Sequence, residues 1–240
     1  LEVQAMLPLF GDDPVEMGMT GTALVARLSA DADYTRWFAA AWPREAAPIS
    51  VENTVAALAG FQRTLLSFDS PYDRHVAGDQ DALSAAEQRG MGLFFSERLG
   101  CFRCHGGFRF TDHAGTPADE AAYHHTALYD LDGAGRYPAD STGVFEITAE
   151  PADMGRFKAP TLRNVAVTAP YMHDGSIRTL PEVLDHYAAG GRASGSPLKS
   201  PLLTGFVLTE AEKADVAAFL EALTDPGFLT DPRFSDPWGD

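Results

Sequence analysis

The chain has 240 residues, 45% of them hydrophobic and 22% charged, enough apolar material for one large core or two small ones in a globular protein. Lys and Arg number 18 against 34 Asp and Glu, a formal net charge of −16, so nucleic acid and anionic membrane surfaces are poor partners and another protein is the better one. No apolar run reaches the roughly 18 residues of a membrane-spanning helix, and no stretch has the basic, apolar, small-residue order of a secretory leader.

In chain order, residues 1–19 are interrupted by Pro8, Gly11, Pro14 and Gly18 and predict a shaped loop. Across residues 20–41, Leu24, Val25, Leu28, Tyr34, Trp37 and Phe38 predict two short helices parted around residues 29–33, the second ended by Trp42-Pro43. A better helix is predicted over residues 50–67, with Ser50 as N-cap and Val51, Val55, Leu58, Phe61, Leu65 and Leu66 at helical spacing. The Asp-, Ser- and Pro-rich stretch to Gly78 reads as a hinge loop. Ser84-x-x-Glu87 is a capping box, and the helix it opens carries Met91, Phe94, Phe95 and Leu99 towards Gly100.

That helix delivers the chain into Cys101-Phe102-Arg103-Cys104-His105, the spacing for covalent attachment of a c-type haem. The two thiols would form thioethers to the porphyrin, and His105 would be the proximal iron ligand. No other cysteine exists in the chain. A redox dithiol would want a βαβ surround and a structural zinc two further close ligands, and neither pattern is present. Because covalent haem is normally assembled outside the bacterial cytoplasm, the motif also predicts a periplasmic protein whose export signal has been removed.

Residues 106–158 have many glycines, prolines and aspartates and no sustained period, so they predict mostly loop. Their histidines His113, His124 and His125 are metal ligands by type, yet read more simply as exposed or hydrogen-bonded loop residues. A compact apolar block, residues 159–175, precedes a second capping box, Thr179-x-x-Glu182, with Pro181 in the first turn. Leu180, Val183, Leu184 and Tyr187 then share one helix face, pointing Tyr187 with the core, and Gly190-Gly191 ends the helix. Thr209-x-x-Glu212 opens an amphipathic helix through Val216, Phe219, Leu220 and Leu223, and the tail wraps the surface with Phe228, Phe234 and Trp238 as packing anchors. Strand signal is weak throughout, so the fold class is predicted to be mainly α.

Spacing leaves the sixth position of the haem iron open among Met154 or Met172, His173 or His186, Tyr187, or nothing. A thioether raises the potential and suits electron transfer, a phenolate favours oxidised iron, and an open position admits peroxide. From the residues alone, the favoured reading of Tyr187 is a core tyrosine with its hydroxyl hydrogen-bonded, and that of Met172 a core methionine.

The block PTLRNVAVTAPYMHDG followed by TLPEVLDHYAAGG resembles the signature after the second haem in the bacterial di-haem cytochrome c peroxidase superfamily, and LPLFGDDPVEMG resembles its inter-domain loop. The likeness covers nearly the whole chain. In the peroxidases proper the helix after this block supplies a methionine, whereas in the MauG and MbnH branch a tyrosine stands there, here Tyr187. The stretches CFRCHGGFRFTD, LYDLDGAGRYPA, TGVFEIT and PADMGRFKAPTLRNVAVTAPYMHDGSI look most like the MbnH type associated with methanobactin operons.

The resemblance implies cytochrome c-like haem domains, with residues 1–80 as the remainder of a first-haem domain and inter-domain segment and residues 81–240 as a C-terminal haem domain. It implies that the backbone carbonyls of Thr168 and Pro170 bind calcium. Gln4, Pro8 and Glu16 would line the distal pocket of the other haem, where Glu16 would move protons. That haem and its own Cys-x-x-Cys-His motif would precede Leu1, making the chain one piece of a longer protein. The implied activity uses hydrogen peroxide at the other haem and stores the second oxidising equivalent on the His105/Tyr187 haem. This high-valent di-haem state would oxidise a residue, a tryptophan by resemblance, in a periplasmic partner protein. The alternatives are a peroxidase fed by a small cytochrome and a non-enzymatic electron carrier with a His/Met haem through Met172.

Overall fold

The computed structural model describes residues 1–12, 16–113, 122–236 and 238 and divides into two compact units, Leu1–Leu66 and Ser67–Asp240. The first contains helices α1 (Glu2–Phe10), α2 (Gly21–Ser29), α3 (Ala32–Ala41) and α4 (Val51–Thr64). Three of these start on a side-chain cap: Thr20, Asp31 and the expected Ser50 each accept backbone N–H bonds from the first turn. Helix α1 departs from the expected loop. Pro8 withholds the N–H that would bond the Gln4 carbonyl, a defect costing about 3 kcal/mol in a helix interior, but it falls in the last turn. Ala5 and Leu9, one turn apart, offset it by burying against Val55 of α4.

The second unit begins with the stretch expected to be a hinge loop, which instead holds α5 (Pro71–Val76) behind a complete capping box, Ser70 with Asp73. Helices α6 (Ala85–Phe94) and α7 (Phe102–His105), strand β1 (Tyr123–His125), α8 (Phe145–Thr148), β2 (Arg156–Lys158), α9 (Leu180–Ala188), α10 (Glu210–Glu221) and α11 (Pro226–Leu229) follow. Strands β1 and β2 pair antiparallel with His124 opposite Phe157, the only sheet among the described residues. Three-residue strands are too short to show alternation, which is why no strand is predicted there. The fold is mainly helical.

The capping boxes at Ser84, Thr179 and Thr209 open α6, α9 and α10 as expected. Helices α6 and α10 touch backbone to side-chain position at Gly90, where a Cβ would lie 1.9 Å from the Asp215 carbonyl oxygen. Around that contact Phe94, Leu99, Phe110, Leu180, Leu184, Val216, Phe219, Leu220 and Leu223 form the main core, with Phe102 and Tyr72 packed on it. Rings of Phe94 and Tyr72 meet Phe219 at 5.2 and 5.7 Å. Residues 67–80 thus pack with the second unit. A smaller cluster joins Leu128, Tyr137 and Ile177 to Met154, Phe157 and Met172. In the tail Phe228 and Phe234 pack on each other at 5.4 Å, and Trp238 is 53% exposed. Among the described residues no helix is long and apolar enough to cross a membrane.

Candidate haem centre

A single turn of helix, α7, carries the motif. The His105 N–H bonds the Cys101 carbonyl at 2.9 Å, and positions i, i+3 and i+4 put Cys101, Cys104 and His105 on one side of the turn. Both cysteines are free and half-buried. Burial pushes the Cys101 thiol up to about 12 and the Cys104 thiol to about 11, so neither is a reactive thiolate at neutral pH. His105 Nδ1 lies 3.2 Å from the Phe110 carbonyl and 3.1 Å from the Pro160 carbonyl. Carbonyls only accept, so Nδ1 carries the proton and Nε2 keeps its lone pair for a metal. Burial also holds the ring below the usual histidine range, in its neutral, ligating form.

Tyr187 lies in the last turn of α9, on the stripe whose Leu180 and Leu184 enter the core. Its ring does not follow them: it is half-buried and belongs to none of the apolar clusters. Its ring contact is His186, edge-on at 5.2 Å, and its hydroxyl has no hydrogen-bond partner among the described residues. Enclosure first, and then the charges of Cys104 and Cys101, push the phenol above the ordinary tyrosine range. Just beyond the helix, Gly191 has a φ of +98° and a Cβ there would lie 2.5 Å from the Ala127 side chain.

The other candidates for the sixth position have structural duties. His186 Nε2 donates to the Thr126 carbonyl at 3.0 Å and Nδ1 accepts from the Arg192 N–H at 3.3 Å, which engages both ring nitrogens. Met154 and Met172 fill the smaller apolar cluster, and the His173 ring stacks on Phe157 at 3.9 Å. The loop histidines are also placed by neighbours. His124 pairs with Asp112 at 2.6 Å, buried His125 accepts from the Ala127 N–H at 3.1 Å, and His113 sits edge-on to Tyr123. Donor atoms of Cys104, Asp112 and His124 lie within 4.8 Å of one another, but an ion there would claim the sulfur that haem attachment uses.

Thr168 and Pro170 are exposed, and their carbonyls accept no backbone hydrogen bond among the described residues, as a hard cation would need. In the first unit Gln4 and Pro8 are one turn apart on α1. The chain folds back there, with the Glu16 N–H bonding the Gly11 carbonyl at 3.2 Å and the Met17 N–H bonding the Pro8 carbonyl at 3.1 Å. Glu16 and Gln4 are exposed, and residues 13–15 between them lie outside the described residues. Sequence reasoning missed Phe110 and Pro160, because backbone acceptors leave no residue-type signature. The one available signal was the Gly106-Gly107 turn that brings Phe110 back over His105. Two thiols, an imidazole with a free Nε2 and an unpartnered phenol form a donor set that fits a covalently held haem.

The helical frame and this turn are those of a cytochrome c-like domain. The sequence profile of di-haem cytochrome c peroxidases matches residues 1–81. The chain is 38% identical over 234 residues to the methylamine utilization protein MauG of Methylorubrum extorquens AM1, covering 97% of this chain and 61% of that protein. It is 36% identical over 216 residues to the cytochrome-c peroxidase IdrP1 of Pseudomonas sp. strain SCT, covering 83% and 54%. Among solved structures, a MauG-like protein associated with microbial copper homeostasis superposes with a TM-score of 0.93 at 50% identity, covering 100% of this chain and 73% of the other. The di-haem peroxidase BthA from Burkholderia thailandensis E264, at 21% identity and a TM-score of 0.69, covering 95% and 64%, shares the fold. The chain belongs to the di-haem cytochrome c peroxidase family, on its MauG-like side. Haem c is the cofactor of that family, and the chain spans 54–61% of the length of the two curated relatives just described.

Proposed function

We propose that this chain supplies the second haem site of a periplasmic MauG-like enzyme, of the MbnH type, that uses hydrogen peroxide to oxidise a tryptophan of a partner protein. The observation that carries the reading is Tyr187: a half-buried phenol outside the apolar clusters whose hydroxyl has no hydrogen-bond partner among the described residues. Cys101 and Cys104 would hold the haem covalently, and His105 through Nε2 and Tyr187 through its phenol oxygen would ligate its iron. The bound haem contributes storage of an oxidising equivalent, which a phenolate ligand favours by stabilising oxidised iron. The protein groups do the rest. Phe110 and Pro160 carbonyls orient the imidazole and α9 presents the phenol, and with both residues on the iron peroxide and water would be kept from it. The reacting haem lies in sequence that this chain does not include, and Glu16, with Gln4 and Pro8, serves its distal pocket by moving protons. Thr168 and Pro170 give two carbonyls to a calcium ion. The acidic balance of −16 favours a partner with a basic face.

The test is an electronic spectrum of the full-length protein after peroxide. A long-lived species with both haems oxidised, decaying as the partner tryptophan is modified, is expected. Steady turnover of peroxide with reduced small cytochrome and no such species would instead identify an ordinary cytochrome c peroxidase. Near-normal peroxide reactivity in Glu16→Gln would remove Glu16 from the proton path.

A further inference from the structure

Arg163 sits in the apolar block after β2 with its side chain only 7% exposed, and every N–H of its guanidinium is used. Nη1 and Nη2 form a fork on the Asp73 carboxylate at 2.8 and 2.9 Å. Nε and Nη2 both reach the Phe108 carbonyl, at 3.1 and 2.7 Å, and Nη1 reaches the Ser67 carbonyl at 3.4 Å. The plane lies against the rings of Phe108 and Phe68 at 4.7 and 5.2 Å. A buried ion pair alone does no more than hold chain segments together. What distinguishes Arg163 is where its remaining bonds go.

Phe108 lies two residues before Phe110, whose carbonyl accepts from His105 Nδ1, and the second acceptor, Pro160, lies three residues before Arg163. Two more bonds cross-tie the same two stretches: Thr161 Oγ1 donates to the Arg109 carbonyl and Thr111 Oγ1 to the Ala159 carbonyl, each at 2.6 Å. Phe110 is fully buried with φ of +52°, a left-handed conformation that a bulky residue adopts only when its surroundings impose it. The carbonyls that orient the imidazole are thus set by a small frame whose corner is Arg163.

We propose that Arg163 is a positioning residue for the proximal ligand, tuning the His105–iron bond through the Phe108 and Phe110 carbonyls. The proposal rests on His105 being the iron ligand. A strong bond from Nδ1–H gives the imidazole more anionic character and stabilises ferric iron. Loosening the frame weakens that bond and shifts the equilibrium towards ferrous iron. Lysine at 163 keeps the charge opposite Asp73 but cannot also bond the Phe108 carbonyl in the same fork.

The experiment uses the full-length, haem-loaded protein and reads the reduction potential of the haem at Cys101 and Cys104 together with its iron–histidine stretching band. Arg163→Lys is expected to shift the ferric/ferrous equilibrium about tenfold towards ferrous, about 59 mV for one electron, and to lower the stretching frequency. Thr161→Val removes one exposed cross-tie without touching the ion pair, so it remains informative if Arg163→Lys does not fold. It is expected to shift both signals the same way by a smaller amount. Unchanged potential and band in the folded variants, with only melting temperature lowered, would reduce Arg163 to a structural ion pair and overturn the proposal. His105→Gly separates the two claims: survival of the band there would show that the ligand assignment, rather than the frame, is wrong.

Discussion

His105 and Tyr187, the two residues assigned to one iron, are held by opposite means. The His105 ring is fixed by two carbonyls, and those carbonyls by Thr161, Thr111 and Arg163. Tyr187 is placed by its helix, through the burial of Leu180 and Leu184, while its hydroxyl has no hydrogen-bond partner among the described residues. One side of the site is therefore fixed by hydrogen bonds and the other by helix packing.

The comparison can be broken most completely at the tether. The double variant Cys101→Ala, Cys104→Ala should lose all covalent haem at this site, read as loss of one haem mass from the denatured full-length protein. Retention of that mass would remove the site altogether. Next in size is the core that both sides share: Phe219→Ala should cost about 3–5 kcal/mol in denaturant unfolding, because Phe219 meets Phe94, Tyr72 and Phe110 at full burial. Gly191→Ala should cost about 1–3 kcal/mol through backbone strain and the clash with Ala127, and should disturb the spectrum of the tyrosine side more than the histidine side. Equal disturbance of both would show that the two sides are not held independently.

The smallest effect lies in acid. Burial raises the Asp73 carboxyl, but its bonds to Arg163 and Ser70 outweigh that and hold it below its ordinary value of 3.8. A carboxyl depressed in the folded state stabilises the fold above its unfolded pKa, and that contribution disappears as pH falls through the folded value. Melting temperature should therefore fall more steeply below pH 4 (an approximate threshold) in the wild type than in Asp73→Asn. Parallel curves would show that the carboxylate contributes nothing through its charge.

Much of this was readable from residues in order. The boxes at Ser84, Thr179 and Thr209 mark helix starts because cap and partner lie three residues apart, and the Cys-x-x-Cys-His turn is equally local. Helix α1 was hidden because Pro8 reads as a breaker wherever it falls, and only the burial of Ala5 and Leu9 on Val55 shows that the helix survives it. Helix α5 was hidden inside a loop-like composition, although Ser70, Pro71 and Asp73 are an N-cap, a first-turn proline and a box partner. The Arg163–Asp73 fork joins residues 90 positions apart, beyond any periodicity. Residue pattern also put Tyr187 on the core-facing stripe; only the fold shows its ring outside the apolar clusters.

The central claim is the bond between Tyr187 and the iron, and the ferric absorption spectrum of the purified full-length protein and its Tyr187→Phe variant tests it most directly. A phenolate-to-iron charge-transfer band is expected in the wild type and absent from the variant, with the reduction potential of this haem raised. A spectrum unchanged by the substitution, or a methionine-type band present in both, would contradict it.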